Sequence, residues 1–235
     1  MLKFCGCAVL AMVLYSTPMS AMADDAPVDP DPWEGFNRAM FEFNDYLDRY
    51  ALKPAAQGYR FVMPDLAERG VSNFFDNLQD VRTLANNLMQ FKFHNAASDT
   101  ARITMNTFFG LGGVFDLATP FGLERHDEDF GQTLGYWGVP SGNYLVLPFF
   151  GPSTVRDGVG LVPDMYLDLV GDVDHVPTRN TLYGVRLVDT RAELLKAEGL
   201  ISGDRYLFIR DAYLQRREYL VNDGRIDSEF DADDF

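Results

Sequence analysis

Phe108-Phe109-Gly110-Leu111-Gly112-Gly113-Val114-Phe115-Asp116 reads as neither helix nor strand, and its texture returns in Thr119-Pro120-Phe121-Gly122 and Leu147-Pro148-Phe149-Phe150-Gly151-Pro152. The span from Phe108 to Gly160 holds 11 glycines, seven phenylalanines and four prolines in 53 residues, too many breakers for one long helix or a run of strands. Ordinary loops are polar because their backbone amides face water. An oily, irregular segment needs apolar surroundings, either a protein core or lipid. Two readings stand at this point: a core-packing loop, or a segment that touches or guides an apolar ligand.

The flanks of this span are helical in pattern. Asp31-Pro32-Trp33-Glu34 reads as a helix start, with Asp31 as N-cap and Pro32 at the first position. Trp33, Phe36, Met40, Phe43, Leu47 and Tyr50 follow at spacings of three and four, a stripe whose ordinary role is core. Lys53-Pro54 is expected to end or kink that helix. Helices are further expected from Pro64-Asp65 towards Leu78, from Asp80 to Phe91, and from Asn95 to Phe109. Beyond the irregular span come Thr178 to Glu198, with Gly199 as C-cap, and Asp204 to Leu220. Only Tyr144-Leu145-Val146-Leu147 has strand composition. The expected fold is mostly α, a ring-like or compact helical single domain with an irregular Gly/Phe/Pro-rich centre and at most a short β-hairpin.

Lys3, the apolar run Ala8 to Tyr15 and the small-x-small site Ala21-Met22-Ala23 form the three parts of an export signal, so residues 1–23 are read as a signal peptide. Residues 24–31 are then a flexible lead-in, 32–221 the helical domain, and 222–235, with six acids against Arg225, a disordered acidic tail. Loss of Lys3 would make the charge one unit more negative than the −15 of the whole chain. That balance argues against nucleic-acid binding, which relies on Lys and Arg, and against electrostatic adhesion to anionic lipid. Cys5 and Cys7 both fall in the leader, so no disulfide or thiolate chemistry is expected of the mature form.

Catalytic patterns are missing from the sequence. His94, His126 and His175 are scattered, there is no Gly-x-Ser-x-Gly elbow, and Gly110-x-Gly112-Gly113 lacks the spacing of a nucleotide loop. Glu124 to Asp129 is a run of neighbours, read as a solvated charged loop in preference to a metal site. No cofactor, no metal and no catalytic residue is expected. Asp116 and Arg156 are lone charges beside oily segments, read as capping or salt-bridged residues, with Arg156 also a candidate for a lipid phosphate.

Four stretches carry a resemblance: Asp31 to Arg38, Asn106 to Asp116, Phe130 to Gly135 and Leu147 to Asp157. In order and spacing the chain resembles the MlaA/VacJ family of outer-membrane phospholipid-transport proteins, over roughly residues 29 to 222. The resemblance implies a non-enzymatic transporter on the periplasmic side of the outer membrane. It would take misplaced phospholipid from the outer leaflet through an amphipathic channel, beside a trimeric porin, and pass it to a periplasmic lipid-carrier protein. Phe108, Phe109, Gly110, Gly112, Gly113, Phe115, Phe149, Phe150, Gly151 and Arg156 become the candidate lipid path or hinge, with Trp33, Phe36 and Phe43 of the first helix packing beside it. The family is usually lipid-anchored through a cysteine at the cleavage site; here both cysteines precede the apolar run, so no anchor is expected. A structural, porin-associated envelope protein without lipid passage is the alternative, and a lipid hydrolase a more distant one.

Overall fold

The computed structural model of the chain describes residues 31–225, so the export signal, residues 24–30 of the lead-in and residues 226–235 of the tail lie outside the described residues. The described chain is mostly α-helical with a single two-stranded sheet, as expected. Helix α1 (Glu34–Leu47) passes through a five-residue π-helical turn (Asp48–Leu52) into α2 (Lys53–Val62). Pro54 falls in the first turn of α2, so the break comes later, at Met63-Pro64, where Met63 turns extended as residues before proline do. Asp31 is not the N-cap of α1: it is buried, accepts from Asn37 Nδ2 at 2.7 Å and takes the hydroxyl of Tyr206. Tertiary partners outcompete the local cap, and the last residue of the supposed lead-in is part of the fold.

The two helices expected between Pro64 and Phe91 are one, α3 (Asp65–Met89). Asp80, the expected start of the second, sits inside it facing Arg102 and Arg125. α4 (Phe93–Phe108) packs on α3 and delivers the chain into the irregular span. That span contains one helix that its glycines conceal, α5 (Phe130–Tyr136), and the start of another, α6 (Val155–Tyr166), each started by a side-chain cap, Asp129 and Thr154. Between them β1 (Tyr144–Leu147) pairs antiparallel with β2 (Gly151–Thr154), Tyr144 opposite Thr154 and Leu147 opposite Gly151. α7 (Val176–Leu194) ends at Leu195, leaving Gly199 in a separate 3-10 turn (Glu198–Leu200). Asp204 caps α8 (Arg205–Val221) through the amides of Tyr206 and Leu207. Asp223, assigned above to the tail, forms an ion pair with Lys92.

The hairpin docks against α1, α6 and α8, where Tyr144, Val146 and Tyr206 form a small apolar core ringed by Met40, Phe41 and Leu214. Elsewhere, apart from Phe75, Val170 and a few alanines, the buried positions are mostly polar. The buried positions of α3 include Asn77, Asp80, Thr83, Asn86 and Asn87, and those of α4 include Asp99, Arg102 and Asn106. The stripe that begins on α1 is therefore only partly core: Met40 packs on the hairpin core and Leu47 is half-buried, but most of its rings face outward. Trp33, Phe36, Phe43 and Tyr50 are exposed, while Asn37 is buried between them and the hairpin. Spacing of three and four marks a face; it does not say what medium that face meets.

Candidate functional site: an apolar coat over a polar interior

Asn37 and Asn44 lie two turns apart on α1, and each grips the backbone of the hairpin with both ends of its amide. Asn37 donates to Tyr144 O at 3.1 Å and accepts from Val146 N at 2.8 Å. Asn44 donates to Leu147 O at 2.9 Å and accepts from Phe149 N at 2.8 Å. The clamp fixes Phe149 in a left-handed backbone conformation, φ 67°, and seats its ring edge-on to Phe43, 5.4 Å between centroids. Phe149 and Phe150 both point outward from the hairpin tip, and Gly151 opens β2. The expected association of the first-helix aromatics with the Phe/Gly span is thus present at Phe43.

A second group forms at the end of α4. Phe108, Phe109, Leu111 and Phe115 are exposed around a tight turn in which Leu111, Gly112 and Gly113 all have positive φ. Gly110 is hemmed in by backbone, its imagined Cβ 2.2 Å from Phe115 O. Gly113 lies on Asn77, where a Cβ would come within 2.5 Å of the Asn77 Cβ, whereas Gly112 faces open space. Beneath the turn, Asn106 Oδ1 accepts from the amides of Leu117 and Ala118 at 2.8 and 3.1 Å, and Asn106 Nδ2 donates to Asp116. Burial would raise the Asp116 carboxyl, but the Thr119 hydroxyl and amide and Asn106 hold it below the ordinary range. The capping role expected of Asp116 is the one it plays. Among the described residues no aromatic ring contact joins this group to the hairpin tip.

Arg156 is buried rather than facing the surface. Its Nε lies 3.1 Å from Asp157 Oδ1, and its guanidinium packs over α5 near Gly135. The Asp157 carboxylate also accepts from Arg217 at 2.8 Å and from the Tyr213 hydroxyl at 2.8 Å. Arg217 reaches on to Asp129, whose carboxyl is held low by that charge against the opposing effect of burial. The acidic run from Glu124 is only partly the solvated loop expected. Glu128 is buried and accepts from Gln90 and Lys92, and His126 meets Asp99 at 2.7 Å. Paired in this way, ionised groups can occupy an interior that would otherwise reject them.

The large apolar side chains lie on the other side of this arrangement. Phe61 is 90% exposed, Phe108 78%, Phe121 76% and Tyr166 83%. Exposed apolar area on this scale is informative where scattered exposed leucines are not. The sequence carried one overlooked signal of it. Asn, Asp and Thr recur at helical spacing along α3, as at Asn73, Asn77 and Asp80, which is the pattern of an inward polar face.

Polar groups gathered and largely paired inside, many aromatic groups outside, and no described helix long and apolar enough to cross a membrane define the class: a largely polar-cored helical protein with an apolar coat. The chain belongs to the MlaA family, whose model, described as MlaA lipoprotein, matches residues 29–220. It is 35% identical over 202 residues to the intermembrane phospholipid transport system lipoprotein MlaA of Escherichia coli (strain K12), covering 83% of this chain and 80% of that one. The protein of the same name from Haemophilus influenzae is 36% identical over 206 residues, 83% of this chain and 81% of its own. A solved chain from work on the structural basis for maintenance of bacterial outer membrane lipid asymmetry superposes with a TM-score of 0.72 at 35% identity, over 82% of this chain and 99% of that one.

Proposed function

We propose that this protein is the outer-membrane component of a phospholipid transport system that keeps the two leaflets of that membrane different. It acts without catalysis, taking misplaced phospholipid from the outer leaflet and passing it towards a periplasmic lipid carrier. The observation that carries the reading is the inversion of the fold, an aromatic coat around a paired polar interior, in a chain whose relatives are named for phospholipid transport. Acyl chains need an apolar wall and headgroups a polar one, and both characters meet at the Phe108 to Phe115 turn and at the hairpin tip. Those two groups, with Phe43, are the proposed lipid path. Gly112 and Gly113 are the proposed hinge, and a trimeric porin is the proposed neighbour in the membrane. The apolar coat then holds the protein in place without an acyl anchor; an acylated N-terminal cysteine in the intact mass of the mature protein would overturn that part.

The test is photo-crosslinking from Phe109 and Phe149 in intact cells, followed by mass spectrometry of what is trapped. Phospholipid adducts at both positions are expected, together with loss of detergent resistance when Gly113 is replaced by a bulky residue. Absence of lipid at either position, with normal outer-leaflet composition in the Gly113 variant, would sink the proposal.

A further inference from the structure

We infer that the polar cavity beneath the Gly112-Gly113 turn receives the primary ammonium end of a phosphoethanolamine-type headgroup, an inference that rests on the phospholipid reading above. The cavity lies between α3, α4 and the loop that follows, and Asn77, Asp76, Asp80, Asp116, Arg102 and Arg125 line it. Its ionised lining is three carboxylates against two guanidiniums, one cation short of balance. Two buried acceptors in that lining, Asn77 Oδ1 and Asp80 Oδ2, have no hydrogen-bond partner, on side chains that are 5% and 2% exposed. Asp80 Oδ2 lies 3.5 Å from Arg102 Nε, an ion-pair distance at which neither atom forms a hydrogen bond. Unpaired buried acceptors in a net-negative enclosure call for a cationic donor.

Size and lining narrow the donor. The cavity measures about 60 Å³, and a single water occupies roughly 10–15 Å³ on the same measure. An aminoethyl end, with three heavy atoms, fits inside, while a phosphate stays at the mouth beside Arg125, whose side chain is one-third exposed. No lining residue is aromatic, so a quaternary ammonium, which is held by ring faces and donates no hydrogen bond, finds nothing here. A headgroup that is only anionic adds to the negative excess. Phe115 and Phe121, next in sequence or nearly so to the lining Asp116 and Thr119, are exposed, which gives acyl chains an apolar surface near the mouth. The Asp76 carboxyl keeps an outer edge in solvent yet is pushed up to about 6 by burial, against the opposing charge of Arg125, and a bound ammonium would reverse that push.

The experiment uses the full chain purified in detergent and titrated with short-chain phosphatidylethanolamine, phosphatidylcholine and phosphatidylglycerol. The ethanolamine lipid is expected to bind about tenfold more tightly than the choline lipid, the effect of one charge-assisted hydrogen bond. Asp76→Asn removes the negative excess at a partly exposed position and should cut that advantage to about twofold, leaving the other two lipids unchanged. Free phosphoethanolamine should displace the ethanolamine lipid; binding without displacement would place the amine site off the lipid route and overturn the inference. Equal affinity for all three headgroups, or an Asp76→Asn variant with an unchanged ratio, overturns it alone. Binding of none of them overturns the transport reading with it.

Discussion

Asn37 and Asn44 do for the hairpin what a third strand would do, meeting its free backbone groups with side-chain amides. Asn37→Ala strands Val146 N–H and Tyr144 C=O in the only described cluster of buried large apolar residues and takes a donor from Asp31. A loss of about 3 kcal/mol is expected from several unmet buried groups, read as a lower unfolding temperature in detergent. His126 makes a second residue-scale case. Its hydrogen bond to Asp99 raises it above the usual 6.5, with burial opposing and Glu128 and Glu124 adding to the rise. The protonated form is thus favoured on folding. The stabilisation is complete below the unfolded value and disappears as pH climbs through the raised one. An NMR titration should place His126 above 6.5, and Asp99→Asn should bring it down. Neither asparagine was legible in the sequence as a structural anchor. Both sit inside an aromatic stripe, and the pattern that draws attention on α1 is the outward one.

The elements were readable to different degrees for physical reasons. α4, α8 and β1 follow local rules of periodicity and composition, so they are legible near their true ends, whereas α7 is legible as a helix but stops at Leu194, four residues before the expected Glu198. α3 runs unbroken through Asp80 because Arg102 and Arg125 face that carboxylate, contacts that local sequence does not show. β2, Gly-Pro-Ser-Thr, has poor strand composition and exists because β1 is beside it. α5 and α6 were hidden by the glycines that let them meet. A Cβ on Gly160 would lie 2.6 Å from Gly131 N and 2.9 Å from its Cα, so the two helices touch backbone to backbone. Gly160→Ala should therefore cost about 1–3 kcal/mol despite the better helix propensity of alanine, because backbone cannot move aside as a side chain can. Gly112→Ala meets no neighbour and carries only the strain of its positive φ, so it should be the milder change when both are compared by thermal denaturation.

At the level of the whole molecule, the coat and the interior make separable contributions. Phe109 and Phe149 are both about three-quarters exposed, so Phe109→Ser with Phe149→Ser should change fold stability by no more than about 0.5 kcal/mol. The same pair should weaken flotation with phospholipid vesicles markedly, since each ring contributes roughly 2 kcal/mol on transfer to an apolar phase. Unchanged flotation would mean that these rings do not meet lipid. The mostly α fold and the family were legible from the sequence. The inversion of the fold was not, because amphipathic spacing is the same whether the apolar face meets a core or a membrane.

That inversion has a calorimetric consequence. The heat-capacity increment of unfolding is generated by apolar surface newly hydrated and reduced by polar surface, with ordinary domains gaining about 12–15 cal/mol/K per residue. A chain that folds largely around Asn86, Asn87, Asp99 and Arg102, and many of whose rings are already outside, has less apolar surface left to uncover. Its stability curve in detergent should be unusually flat, with an unfolding enthalpy that barely changes between scans of variants melting at different temperatures.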